Sequence, residues 1–138
     1  MSSALEGVVK TSAKNQVTIN RVSGAVWVFL GAIFVVTSLF VKGKAGEENI
    51  RVVAGCLGAV SVAFGIAYAN FTTKRTGMLV DLLLNRRSEL KGALIIRRQR
   101  NGMILGYSIA VSDSANRRYR MVAPSEDGAR LMLANIPA

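Results

Sequence analysis

Two stretches of this chain carry no charged residue for twenty positions each: VSGAVWVFLGAIFVVTSLFV, residues 22–41, and VVAGCLGAVSVAFGIAYANF, residues 52–71. At ~1.5 Å of rise per residue, each is long enough as a helix to cross a hydrocarbon layer of about 30 Å. A soluble domain rarely spares two such runs from every charge. Arg21 and Lys42 bracket the first, and Arg51 with Lys74 and Arg75 bracket the second. Tyr68 and Phe71 stand near one end of the second run, where a bilayer favours aromatic rings. The connection KGKAGEENIR is too short for a domain, so the two helices are expected to pair as an antiparallel transmembrane hairpin over residues 22–72.

The rest of the composition agrees with this partition. Of 138 residues 51% are hydrophobic, yet the formal net charge is +10, so apolar and basic residues are sorted into different regions. Residues 1–21 read as a polar segment, with too much polar sequence before the apolar run for a signal peptide and no clear amphipathic repeat. Seven Lys and Arg residues lie just outside the spans on the terminal side: Lys10, Lys14, Arg21, Lys74, Arg75, Arg86 and Arg87. Only Lys42, Lys44 and Arg51 lie in the loop. That bias places both termini on the cytoplasmic, matrix or stromal side.

The second span is rich in small residues. Gly55, Ala59, Ala63 and Ala67 recur every four positions, and Gly58, Ser61, Gly65 and Ala69 form an adjacent stripe. Inside lipid, helices gain little by hiding leucine and associate where small side chains admit a close backbone approach. The set Gly55, Gly58, Ala59, Ser61, Ala63, Gly65 and Ala67 is therefore the expected helix–helix interface, with Gly24 and Gly31 as counterparts on the first span. Two stripes leave room for a second neighbour. The first span is bulkier (Trp27, Phe29, Leu30, Phe34) and suits lipid, with a pigment or quinone surface as alternatives. Neither span holds an ionisable side chain of the kind that proton relays and voltage sensors need. Cys56, the single cysteine, excludes an intramolecular disulfide and reads as a small buried residue.

Residues 73–138 read as a basic, β-rich extramembrane module. MLVDLLLN, residues 78–85, reads as a helix continuing toward SELKG or as a strand; the strand is preferred because Gly77 and Asn85-Arg86 bound it. GALIIRRQ and MILGYSIAV follow, separated by Asn101-Gly102, the dipeptide of a two-residue type I′ turn. A simple register sets Arg100 against Met103, Arg98 against Leu105, Ile96 against Tyr107 and Leu94 against Ile109. RRYRMVA alternates as a further strand with Tyr119, Met121 and Ala123 on one face. Ser125 then N-caps a short helix with acids in its first turn. The expected fold is a membrane α+β chain: a two-helix hairpin, an antiparallel meander of three to four strands, and a short C-terminal helix.

From Lys74 onward twelve basic residues face five acidic ones. Arg97, Arg98 and Arg100 sit on one strand and Arg117, Arg118 and Arg120 on another; converging on one sheet face, they would form a basic surface for a protein partner or for anionic lipid headgroups. RNA is disfavoured, because Tyr107 and Tyr119 read as core residues rather than stacking platforms and no RNA-binding signature is present. No phosphate loop, metal-ligand spacing or acid–base pair appears; Asp81, the one acid in an apolar run, is expected to meet solvent or an arginine such as Arg98. The expectation is a chain without catalysis, cofactor or small-molecule substrate. Its place would be an accessory subunit or assembly factor among the subunits of a membrane complex, with a lipid-binding homo-oligomer as the alternative. In architecture alone such a chain is similar to certain assembly factors of chloroplast photosystems and mitochondrial respiratory complexes. That likeness implies a thylakoid or organellar inner membrane rather than the plasma membrane.

Overall fold

The computed structural model describes residues 3–40 and 46–138. Lys42 and Lys44, the loop charges used above, and Val41, the last residue of the first run, lie outside them. The elements run α1 (Ser3–Phe40), α2 (Glu48–Leu84), a single 3-10 turn (Arg87–Glu89), β1 (Lys91–Arg100), β2 (Met103–Ser112), β3 (Arg118–Ala123) and α3 (Glu126–Leu133). The chain divides into two compact units: Ile19–Thr72, and the residues up to Thr18 together with Thr73–Ala138.

The first unit holds the apolar parts of α1 and α2. Both helices are long and apolar enough to cross a membrane, and only 11% of the most apolar 18-residue window of each is buried. Their contact follows a heptad rhythm. On α1 the covered positions are Gly24, Val28, Gly31, Val35 and Ser38; on α2 they are Gly55, Gly58, Val62, Gly65 and Ala69. Spacings alternating between three and four average 3.5 residues, the period of a left-handed helix pair. Arg51, in the first turn of α2, donates to the carbonyls of Ser38 (2.9 Å) and Leu39 (3.2 Å). The last carbonyls of α1 have no intrahelical partner, so a guanidinium there satisfies them and meets the negative end of the helix dipole. Near the ends of the apolar runs, the Ser38 hydroxyl donates to the Val35 carbonyl at 2.7 Å and the Thr72 hydroxyl to the Tyr68 carbonyl at 2.7 Å, which leaves neither hydroxyl unsatisfied.

Cys56 is exposed on α2, contrary to the buried position expected for it. In a helix of this kind the buried stripe is small and the outward surface is apolar, so an apolar neighbourhood in sequence does not mean burial.

The second unit is a three-stranded antiparallel sheet, order β1-β2-β3, with helices on one face. The expected strand over residues 78–85 is instead the last two turns of α2. Thr76, Leu79, Leu82 and Leu83 are buried at helical spacing, and the three leucines join one core with Ile109, Val111, Tyr119, Met121, Ala129 and Met132. Asp81 accepts from Asn85 (2.9 Å) and Arg86 (3.0 Å), so its arginine partner is Arg86, not Arg98. The polar start of the chain also belongs to this unit. Leu5, Val9 and Ser12 are buried on one side of α1, four and three residues apart. Further along, the Gln16 side chain accepts the Val122 backbone N–H at 2.9 Å, covering an edge of β3 that would otherwise offer a free donor.

The turn chemistry of the β1–β2 hairpin is as expected: Asn101 (φ 50) and Gly102 (φ 78) are both in the left-handed region a type I′ turn requires. Its register is not. Arg100 faces Met103, but Arg98 faces Gly106, Ile96 faces Ser108 and Leu94 faces Ala110. A bulge between Arg98 and Gln99 leaves Leu105 as the extra residue of β2 and slips the pairs from Arg98 to Leu94 by one, until a second irregularity between Leu94 and Lys91 restores the register at Lys91–Ser112. The slip puts Ile95, not Leu94, opposite Ile109, where Ile95 packs against the core. β3 then follows the expected alternation, with Tyr119 and Met121 buried between exposed Arg118 and Arg120. Ser125 caps α3, its hydroxyl accepting the Gly128 N–H at 3.0 Å.

Candidate functional site

The glycine stripe decides which small residues of the hairpin stay available for a partner. A Cβ placed on Gly24 would lie 2.7 Å from the Gly65 carbonyl oxygen, and one on Gly65 would lie 2.5 Å from that of Gly24. Gly31 and Gly58 repeat the arrangement one heptad on, at 2.5 and 2.6 Å. Each glycine thus aims an Hα at the facing carbonyl, the geometry of a Cα–H···O contact. Glycine gives up about 1 kcal/mol of helix propensity against alanine at each position, which the close approach must offset. Of the expected interface residues, Gly58 and Gly65 are buried in this seam, Gly55 packs against Ser38, and Ser61 is half-buried beside it. Ala59, Ala63 and Ala67 are exposed on the opposite side of α2.

The sheet supplies the second surface. Its inner face carries the core. Alternation from the observed register sets Leu94, Ile96, Arg98, Ser108, Ala110, Arg118, Arg120 and Val122 on the outer face. Small residues along β2 leave an open depression of about 400 Å³ there, bordered by Gly92, Leu94, Ala110, Ser112 and Arg118. The six arginines singled out by sequence therefore do not converge. Arg98, Arg118 and Arg120 share the outer face. Arg100 stands beside the β1–β2 turn. Arg97 is on the inner side, paired with Glu126 at 3.6 Å and lying over the Tyr107 ring at 5.9 Å. Arg117 belongs to the β2–β3 turn, where its Nε donates to Asp113 at 2.7 Å.

Pairing separates structural arginines from available ones. Among the described residues Arg98, Arg100, Arg118 and Arg120 have no carboxylate partner. Arg98 and Arg120 lie about 13 Å apart along the strands and about 10 Å across them. That is too wide to hold one phosphate between them; the spread suits an extended negative surface.

Two polar clusters hold the module's ends. Asp113 Oδ1 accepts the N–H groups of Ala115 and Arg117, both at 2.9 Å, and its Oδ2 takes the Arg117 guanidinium. Burial pushes the Asp113 pKa up, but these bonds outweigh it and hold the carboxyl below its usual range. Arg87, which sequence reading used only as a topology charge, reaches the open end of α3. Its guanidinium donates to the carbonyls of Met132 (2.6 Å) and Ala134 (3.1 Å), and burial lowers its pKa. Only a long cation shortly before β1 hinted at this role. Arg75 lies over the Tyr119 ring at 5.2 Å and donates to the Arg118 carbonyl.

No group of metal-ligating side chains occurs among the described residues. The class these features define is a chain with two long apolar helices, a three-stranded antiparallel sheet and a short C-terminal helix. Comparison with known protein families, with curated proteins and with solved structures finds no match.

Proposed function

We propose that this chain is a two-span integral membrane protein and a non-catalytic accessory subunit or assembly factor of a membrane complex. The observation that carries the reading is uncovered apolar surface. Among the described residues, twenty of the twenty-four exposed large hydrophobics lie between Ile19 and Phe71. A core helix of a soluble protein would hide such residues, and so continuous an apolar surface marks contact with lipid or another protein. The Lys and Arg bias supports both termini on the cytoplasmic, matrix or stromal side. An organellar inner membrane or thylakoid rests only on the architectural likeness.

Docking to other subunits is supported by what the hairpin leaves unused. Its own seam consumes Gly58 and Gly65, while Ala59, Ala63 and Ala67 present a smooth outer face. The open sheet face, with Arg118 and Arg120 beside its shallow depression, is the second contact. A Gly58→Leu change would break the hairpin itself, so the informative variant is Ala63→Leu. On a native gel in mild detergent, wild type should migrate within a large complex of fixed stoichiometry and Ala63→Leu should run free. Migration of the wild type as a homo-oligomer would favour the alternative, a self-associating protein that binds anionic lipid. Membrane insertion has its own check: Cys56 should resist a membrane-impermeant maleimide in vesicles and react once detergent and denaturant are added.

A further inference from the structure

Outside the hairpin helices, four large hydrophobic residues are exposed among those described: Leu94, Met103, Ile104 and Leu105. Three are consecutive, at the tip of the β1–β2 hairpin, and are 68%, 50% and 61% exposed. The tip is also unsupported. β3 pairs with β2 only from Tyr107 to Ser112, so the rungs from Gly106 to the turn are two-stranded. Strand alternation and the bulge at Leu105 send these side chains to both faces of the ribbon. Arg98 and Arg100, both without a carboxylate partner, stand on the neighbouring strand of the same tip.

We propose that this hairpin tip inserts into the surface of an anionic bilayer, Met103, Ile104 and Leu105 entering the acyl boundary and Arg98 and Arg100 meeting lipid phosphates. The inference rests on the membrane reading above and adds a second contact with lipid, made by the extramembrane module. Charge and shape select the occupant. A folded protein covers one face of a ribbon, whereas acyl chains close around both. Arg98 faces Gly106, two residues back from Ile104. At ~3.4 Å per residue its backbone sits about 7 Å above the apolar tip, within the ~5–10 Å depth of interfacial insertion. Arginine stems lie along apolar surface while their charged ends stay at the headgroups. The tip has no aromatic side chain on which a nucleic-acid base would stack.

The test uses the full chain with Cys56→Ala, reconstituted in phosphatidylcholine vesicles with or without phosphatidylglycerol, some with brominated acyl chains. An environment-sensitive dye is attached at Ile104→Cys, at Val60→Cys in the second span, or at Ser114→Cys in the β2–β3 turn. All three sites are exposed in the isolated chain, so the labels leave its packing intact, which far-UV circular dichroism checks. The expected result is quenching by bromine at 60 in every vesicle, at 104 only with phosphatidylglycerol, and at 114 in none. Arg98→Gln and Arg100→Gln should each lower the inserted-to-wet ratio at 104 about fivefold, and added salt should lower it further. Quenching at 60 with a wet dye at 104 in anionic vesicles overturns this inference alone. Quenching at 104 that ignores phosphatidylglycerol overturns the anionic assignment. A wet dye at 60 overturns the membrane reading and this inference with it.

Discussion

One methyl group added at Gly31 has nowhere to go. Its carbon would sit 2.5 Å from the Gly58 carbonyl oxygen and 2.9 Å from Val62 Cγ2, where ordinary contact begins near 3.4 Å. Both obstacles belong to the facing helix, and the closer is backbone, so no side-chain rotation relieves it. The helices must separate locally by about 0.9 Å, and a gap of ~0.5–1 Å forfeits a quarter to a half of each affected contact. Overpacking of this kind costs about 1–3 kcal/mol, and Gly31→Ala is expected near ~2 kcal/mol. Gly77→Ala is the control. It lies on α2 with nothing within 4 Å of the added carbon, and should gain up to about 1 kcal/mol of helix propensity. Because Gly31 and Gly58 share one contact, the double alanine variant should cost less than the two singles combined. Reversible SDS unfolding in mixed micelles would measure this, with Trp27, the single tryptophan, as reporter; its ring meets Phe64 edge-on at 5.4 Å. If Gly31→Ala unfolds at the same SDS fraction as Gly77→Ala, the helices are not as close as described and the heptad seam is wrong.

Acid should loosen the module. The folded pKa of Asp113 is depressed, so its contribution is present above the unfolded value near 3.8 and is lost as pH falls through and below it. Glu126 shifts the same way through Arg130 and the Tyr107 hydroxyl, so the melting temperature should drop below about pH 4, and Asp113→Asn should flatten part of that slope. Arg87→Met keeps the apolar stem but removes the bonds to the last carbonyls of α3. A loss of about 1–2 kcal/mol is expected in thermal melts, less than the bonds alone suggest because the partnerless buried Nη1 goes with them. Arg87→Lys should recover only part of it, since a single ammonium cannot replace the planar fork.

The sequence was most legible where one signal acted alone. Two uncharged runs are enough to read two helices, and Asn101-Gly102 is enough to read the hairpin turn and its φ values. Competing signals misled elsewhere. Met78 to Leu84 is a short apolar run, a length at which strand and helix look alike; the spacing of Thr76, Leu79 and Leu83 was the signal that could have decided it. The first turns of α1 hid their role because Ser12 and Gln16 interrupt the apolar stripe begun by Leu5 and Val9, although Ser12 is fully buried. The bulge at Leu105 left no mark in composition, yet it moved every pair from Arg98 to Leu94. Among the arginines, residue type identified a basic module, but only the register and ion pairs separated Arg98 and Arg120 from Arg97 and Arg117.

The module is assembled from distant parts of the chain, and this imposes an order on biosynthesis. Gln16 reaches a strand 106 residues away, a closure costing about 4 kcal/mol if the intervening chain were loose. It is not loose once the Gly24 and Ala69 backbones have met. The hairpin should therefore zip first, while Leu5 and Val9 wait uncovered on the newly made chain. Completion waits for the residues beyond α3, where Ile136 enters the core and the Pro137 carbonyl takes the Ala93 N–H. A ribosome stalled at the start of α3 would hold a chain whose helices had paired but whose basic domain had not closed.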